Sequence, residues 1–198
     1  KFDTIRLPTD AEPIRTNPYL IERGIIDVPH TLYEAPRSMK DRVIVPIKWQ
    51  GKLIGYVARA MTDISPKYFA QVQPGTLFNL DNQHWSRKFV ILVEGIFDAI
   101  QIDGVAILGS EIAHKQKLQI DALNRKVIVV PDRDRAGTKL IDQVSEWGWS
   151  VSMPPWEPNI KDVNDAVIKY GKILTIQAIL KYTHDSKAKI KVNEKLWL

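Results

Sequence analysis

The chain has 198 residues, with 28 Lys and Arg against 23 Asp and Glu and a net charge of +5 at pH 7. Its length suits one domain or two small ones, and 44% of hydrophobic residues can form a core, which argues against wholesale disorder. The absence of Cys excludes disulfides, thiol catalysis and Cys-bound zinc or iron within this chain. No apolar run of about 18 residues is present, so no membrane association is predicted and a cytoplasmic location is expected.

The front of the chain, residues 1–88, is expected to form a small α+β subdomain with a basic surface, since most of the net charge lies there. Its first part is rich in Pro and is predicted to be mostly loop, with one short helix that Asn17 caps and Gly24 ends. Two β-rich runs, 42–49 and 53–60, flank a short turn. This arrangement predicts a β-hairpin.

From residue 89 the chain alternates between strand-like and helix-like segments. Four buried strands are predicted, at residues 89–93, 105–108, 127–130 and 149–153. Helices are predicted between them, and two more cover about 161–182. This order predicts an α/β fold with a four-stranded parallel sheet flanked by helices, over residues 89–171. Residues 172–198 are expected to form a C-terminal helix and a mobile, Lys-rich tail.

Carboxylates follow the predicted strands at one edge of this sheet. Glu94 follows the first strand, and Asp132 and Asp134 follow the third. Active sites of open parallel sheets form beyond the carboxyl ends of the strands, so these side chains are expected to lie together. Asp98 lies one helical turn after Glu94 and can face the same group, while Asp162 opens a later helix.

Carboxylates that are gathered closely repel one another unless a cation neutralises them. A ligand set of oxygens without Cys or clustered His favours Mg²⁺ or Mn²⁺, and the chemistry that this favours is phosphoryl transfer. Asp134 and Asp162 could instead be ordinary helix caps. The sequence contains no P-loop, no Gly-x-Gly-x-x-Gly and no Gly-x-Ser-x-Gly, so a P-loop ATPase, a dinucleotide fold and a serine hydrolase are not supported.

Three segments together resemble the TOPRIM domain, namely residues 93–99, 108–110 and 132–137. TOPRIM domains occur in DnaG-type primases, topoisomerases, and some nucleases and repair proteins. The hairpin segments in the front part, with the run around Lys67 and Phe78, resemble the basic subdomain that precedes TOPRIM in DnaG-type primases.

The segment 161–165 resembles the Lys-Asp-x-Asn-[Asp/Glu] element of phage primases. One departure is that Asn79 and Leu80 follow Phe78, where bacterial members usually have a basic residue. This departure places one phosphate contact in question.

The resemblance implies the RNA polymerase part of a phage-type primase, which synthesises short RNA primers on single-stranded DNA by metal-dependent nucleotidyl transfer. It implies that the catalytic residues are Glu94, Asp132 and Asp134. It implies that the metal is held by these three together with Asp98 and Asp162. The residues that would contact nucleotide or DNA phosphates are Arg42, Arg59, Lys67 and Lys161.

The same resemblance implies a set of partners. These are single-stranded DNA, ribonucleoside triphosphates, a replicative helicase, and a zinc-binding module supplied by a part of the protein outside this chain. A phage-encoded protein would work in the host cytoplasm. Two other functions stay open: a TOPRIM nuclease, which has no need of the basic hairpin, and a non-catalytic DNA- or helicase-binding module, against which the intact carboxylates argue.

Overall fold

The computed structural model describes residues 1–197 and contains two five-stranded sheets. The front strands are β1 (Glu12–Pro13), β2 (Tyr33–Ala35), β3 (Met39–Trp49), β4 (Lys52–Ala60) and β5 (Tyr68–Gln71). The rear strands are β6 (Phe89–Val93), β7 (Val105–Ala106), β8 (Lys126–Val129), β9 (Ser150–Ser152) and β10 (Thr183–His184). The helices are α1 (Pro18–Glu22), α2 (Ile96–Ile102), α3 (His114–Asp121), α4 (Arg135–Glu146), α5 (Val163–Tyr170), α6 (Lys172–Lys181) and α7 (Lys187–Trp197).

The front sheet is antiparallel, with the strands in chain order. Strands β3 and β4 form the predicted hairpin. Its turn contains Gln50 and Gly51, both with positive φ (50° and 73°), as tight hairpin turns require. The short helix α1 is also where the sequence places it, and the Asn17 side chain accepts a hydrogen bond from the Tyr19 N–H at its start. Strands β2 and β5 extend the hairpin on both sides.

The rear sheet has the order β10-β9-β8-β6-β7. Strand β6 runs parallel to β7 and β8, and β8 runs parallel to β9, so the predicted four-stranded parallel sheet is confirmed. The sequence does not predict β10, which pairs antiparallel with β9 at the edge. This strand has only two residues, too few to give a pattern.

The two sheets share a hydrophobic core. One cluster joins Val45 and Val57 of the front sheet to Ile91 of β6 and to Phe97 and Ile100 of α2. Helix α2 therefore packs between the sheets, with all seven of its residues buried. The division at residue 88 coincides with the change of sheet and stays a prediction as a domain boundary, because the apolar packing is continuous across it.

The C-terminal segment differs from the expected mobile tail, because it forms helix α7 and packs on α4. Ile190, Glu194 and Trp197 are buried, and their spacing places them on one face of the helix. The lysines between these positions hide the apolar stripe. Residue 198, the last of the predicted C-terminal segment, lies outside the described residues. Within residues 1–197, no helix has the length and apolar character to cross a bilayer.

Candidate active site

A cleft of about 290 Å³ lies between the two sheets, at the carboxyl ends of β6, β7 and β8. Its walls come from both sheets. The lining residues are Val57, Tyr68 and Ala70 from β4 and β5, and Glu94, Gly95, Ile96, Leu108, Gly109 and Asp132 from the segments that follow the parallel strands. The front sheet thus covers the sheet edge at which the sequence places the carboxylates.

Glu94 and Asp132 lie side by side in this cleft. They follow the adjacent parallel strands β6 and β8, in which Leu92 pairs with Val129. The Asp132 backbone N–H donates a hydrogen bond to Glu94 Oε1 at 3.1 Å. The prediction that these two carboxylates meet at one edge of the sheet therefore agrees with the geometry.

Two glycines let the backbone come close to these acids. A side chain at Gly95 would overlap the Asp98 carboxylate, and a side chain at Gly137 would overlap the main-chain oxygen of Asp132. Any larger residue at either position would displace the acid beside it. The glycines in the two TOPRIM-like segments are therefore explained by close packing against the carboxylate-bearing loops.

The other three predicted acids are held by the backbone N–H groups of helices. Asp98 is buried and accepts a hydrogen bond from the Asn164 N–H at 2.7 Å. Asp162 caps α5, where its Oδ1 accepts from the Asp165 N–H at 2.7 Å.

Asp134 likewise caps α4, and its Oδ1 accepts from the N–H groups of Ala136 and Gly137 at 2.8 and 2.9 Å. The capping alternative for Asp134 and Asp162 is thus correct. In both cases only Oδ1 accepts these bonds, so capping is compatible with a second role for the carboxylate.

The electrostatics of the cleft favour a cation. Burial raises the pKa of Asp132 to about 9, and the charges of Asp98, Glu94, Asp162 and Asp134 contribute to the increase. Burial raises the pKa of Glu94 to about 7, with a contribution from Asp134 that the hydrogen bond from Asp132 opposes. The pKa of Asp98 and that of Asp162 are also raised by burial, and the Asp162 charge adds to the effect on Asp98. The five predicted acids therefore form one interacting group.

Arg59 is the predicted cation that the structure brings to this group. It is buried, its Nε donates to the Tyr19 hydroxyl at 2.5 Å, and its Nη1 donates to the Tyr68 hydroxyl. Its guanidinium carbon lies 4.9 Å from the centre of the Phe97 ring. Its charge lowers the pKa of Asp98, which partly offsets the increase from burial.

The other predicted phosphate contacts lie in different surroundings. Arg42 is buried, and its guanidinium donates to the main-chain oxygens of Pro66 at 2.6 Å and Ala58 at 3.4 Å. Lys67 is exposed, with its ammonium 5.9 Å from the centre of the Tyr68 ring. Lys161 is exposed as well. The roles of these cations as phosphate contacts stay predictions.

Three residues of this region were not singled out from the sequence: Tyr19, Tyr68 and Asn164. Tyr68 follows Lys67 and Asn164 lies in the 161–165 segment, so the resemblance offered a signal for both. No pattern in the sequence connects Tyr19 to Arg59, since their contact joins residues 40 positions apart.

No three His, Cys, Asp or Glu side chains within residues 1–197 converge closely enough to enclose a metal ion. The acids interact through their charges without forming a complete cage. This arrangement fits Mg²⁺, which is usually held by one or two carboxylates together with water and substrate phosphates.

Comparison with known proteins identifies relatives of one kind. No family model matches the chain. It is 28% identical to the DNA primase of Thermotoga maritima over 151 residues, covering 66% of this chain and 26% of that protein. It is also 28% identical to the DNA primase of Clostridium acetobutylicum over 174 residues, covering 77% and 28% respectively. The chain spans about a quarter of the length of these curated relatives.

Solved structures with the same fold are primase cores. The RNA polymerase domain of Mycobacterium tuberculosis primase DnaG has a TM-score of 0.62 and 19% identity, over 73% of this chain and 56% of that one. A DnaG primase catalytic domain bound to single-stranded DNA has a TM-score of 0.60 and 20% identity, over 83% and 59%. The primase fragment of the bacteriophage T7 primase-helicase protein has a TM-score of 0.56 and 17% identity, over 82% and 69%.

These comparisons confirm the resemblance to the catalytic core of DnaG-type DNA primases and the fold that it implies. The relatives are named primases, which favours that function over the nuclease alternative. The phage type stays a prediction, since both bacterial and phage structures share the fold.

Proposed function

We propose that this chain is the RNA polymerase part of a DNA primase, which joins ribonucleotides on a single-stranded DNA template. The observation that carries the proposal is the contact between Glu94 and Asp132 in a cleft that both sheets line. The similarity to curated DNA primases supports the same reaction.

The residues proposed to act in catalysis are Glu94, Asp132 and Asp134, with Asp98 and Asp162 supporting them. Divalent metal bound there, Mg²⁺ or Mn²⁺, would activate the attacking oxygen and neutralise the triphosphate. Their raised pKa values support this role, because each acid gains more from a nearby cation when burial and like charge oppose its ionisation.

The remaining residues of the cleft position these acids and the substrate. Arg59 supplies positive charge next to Asp98, and the hydroxyls of Tyr19 and Tyr68 hold its guanidinium. Tyr68 also lines the cleft, where the incoming nucleotide would bind. Arg42, Lys67 and Lys161 are proposed to contact phosphates of the nucleotide or template.

The proposed partners follow from the reaction and from the relatives. They are single-stranded DNA, as in the DnaG domain solved with that ligand, and ribonucleoside triphosphates. A helicase partner is supported by the T7 protein, in which primase and helicase belong to one polypeptide. A zinc-binding module outside this chain is proposed to select the start site, since the chain itself contains no Cys.

A primer-extension assay tests the proposal. The reaction contains single-stranded DNA, a short RNA primer, four ribonucleotides, and Mg²⁺ or Mn²⁺. We expect the wild type to extend the primer and Asp132→Asn to lose extension. Asp121→Asn is the matched control, because Asp121 lies in an exposed ion pair with Lys117 on α3, away from the cleft.

Two results would contradict the proposal. The first is absence of extension by the wild type with either metal, and the second is equal extension by the wild type and Asp132→Asn. Shortening of labelled DNA by the wild type, lost in Asp132→Asn, would favour the nuclease. Circular dichroism of both variants shows whether a loss of activity arises from unfolding.

A further inference from the structure

A second cationic surface lies at the opposite end of β6 from Glu94. Lys88 immediately precedes β6 and Glu94 immediately follows it, so the two ends are separated by about 17 Å of strand. A cavity of about 430 Å³ opens at the Lys88 end. Its rim includes Arg87, Lys88 and Lys172, and its floor is apolar.

The loop that forms this rim also exposes a tryptophan. The Trp85 side chain is 82% exposed, more than any other large hydrophobic residue among those described. It lies between Gln83 and Arg87, which both line the cavity. An indole left in water next to lysines has the composition of a base-stacking surface rather than of a core residue.

Local hydrogen bonds fix the conformation of this loop. The Arg87 N–H donates to the His84 main-chain oxygen at 3.1 Å, which closes a turn around Trp85. His84 Nδ1 and the Ser86 hydroxyl are 2.7 Å apart. The His84 and Trp85 rings lie 5.4 Å apart, tilted by 34°. Trp85 is therefore presented to solvent by an organised turn, which lowers the entropy cost of stacking a ligand on it.

The charge of this surface is positive. Arg87 pairs with Asp103, the one acid on the rim. Across residues 1–197 no salt bridge engages Lys88 or Lys172. Arg125 adds a further positive charge behind the loop, where its Nη2 donates to the Gln83 main-chain oxygen at 3.2 Å and its Nη1 is buried without a hydrogen-bond partner. The excess of positive charge selects an anionic ligand.

We propose that the Trp85 surface (Trp85, Arg87, Lys88 and Lys172) binds single-stranded nucleic acid outside the catalytic cleft. A base stacks on the indole, and the two lysines contact phosphates. The inference rests on the proposed function, since a polymerase acting on a template must also hold the strand away from the reacting nucleotides. It adds a second contact point to that strand.

Binding of a fluorescein-labelled oligothymidylate of about 16 nucleotides tests this proposal. Fluorescence anisotropy is measured at several salt concentrations without divalent metal or nucleotides. We expect Trp85→Ala to weaken binding about fivefold or more and to leave the salt dependence unchanged, because it removes stacking and no charge. Trp85→Phe should restore part of the affinity. Leu196→Ala is the matched control, since Leu196 is 80% exposed on α7.

The lysines should give a different signature. Replacing Lys88 and Lys172 together by Ala should reduce the slope of log affinity against log salt by about 1.4, the value for two lost phosphate contacts on a single strand. Lys139→Ala, an exposed lysine on α4, is the control for charge. A 5-iodouracil-substituted oligonucleotide provides a second measurement, since irradiation should give a covalent adduct at Trp85 that peptide mapping detects.

The outcomes separate this proposal from the proposed function. Asp132→Asn should bind the oligonucleotide like the wild type, because the assay needs no catalysis. Affinities of the Trp85 and lysine variants equal to those of their controls would overturn the second site and leave the catalytic proposal unaffected. Absence of binding by the wild type would overturn it as well. An effect of Trp85→Ala on helicase association alone would assign the surface to a protein partner instead.

Discussion

The carboxyl edge of the rear sheet and the cations of the front sheet behave differently under the same kind of sequence reasoning. The acids lie where the strand order places them, because adjacent parallel strands bring Glu94 and Asp132 into contact. The buried arginines are already engaged with the protein. Arg42 donates to main-chain oxygens and Arg59 to two tyrosine hydroxyls.

The difference follows from side-chain length and from the range of the contacts. A short carboxylate next to a strand end is positioned by the backbone, whose geometry the strand order determines. An arginine has a long side chain and five donors, so its partners depend on which distant segments fold against it. Regular topology therefore predicts acidic sites well and predicts the partners of arginines poorly.

Asp134→Asn should give the largest effect, on activity alone. Asn caps helices about as well as Asp, so the thermal midpoint should change little. If Asp134 also acts in catalysis, primer extension should fall at least about a hundredfold, because the charge near the reacting phosphates is lost. Unchanged extension would mean that Asp134 is only the cap of α4.

Gly137→Ala tests whether the acidic edge depends on close packing. The new methyl group would overlap the main-chain oxygen of Asp132, so the free energy of unfolding should fall by about 3 kcal/mol. Gly109→Ala is the control at the same edge, since no atom lies within 4 Å of its added carbon. Chemical denaturation measures both. Equal stabilities would contradict the packing explanation.

Arg42→Met tests the structural role of a buried arginine. It removes the hydrogen bonds to Pro66 and Ala58 and should lower the free energy of unfolding by about 2 kcal/mol. The salt dependence of oligonucleotide binding should stay the same. A slope reduced by about 0.7 at unchanged stability would instead support the phosphate contact.

Lys67→Ala should show the reverse pattern and the smallest effect on stability. Lys67 is exposed, so the free energy of unfolding should change by less than about 0.5 kcal/mol. A phosphate contact would reduce the salt slope by about 0.7. An unchanged slope would remove Lys67 from the proposed nucleic-acid surface.

Much of the fold could be predicted from the sequence, and the failures have physical causes. The hairpin and the four parallel strands follow from apolar runs and turn residues. Helix α7 was taken for a mobile tail because alternating lysines obscure the stripe that includes Ile190 and Trp197. The cleft itself could not be predicted, since its second wall comes from Val57, Tyr68 and Ala70 of a different sheet.

Thermal denaturation of the wild type and Asp132→Asn between about pH 5 and pH 9, with and without Mg²⁺, tests the central claim most directly. Burial raises the pKa of Asp132 to about 9 and that of Glu94 to about 7. In this range the folded protein retains protons that the unfolded chain has lost, so stability should fall as pH rises. Asp132→Asn should show a smaller fall.

Mg²⁺ should raise the thermal midpoint of the wild type, most strongly above pH 7 where the acids lose their protons, because a cation that binds only the folded protein stabilises it. Asp132→Asn should respond much less. This result would support the carboxylates of the sheet edge as the cation site. Equal pH dependence and an equal response to Mg²⁺ in the two proteins would contradict it.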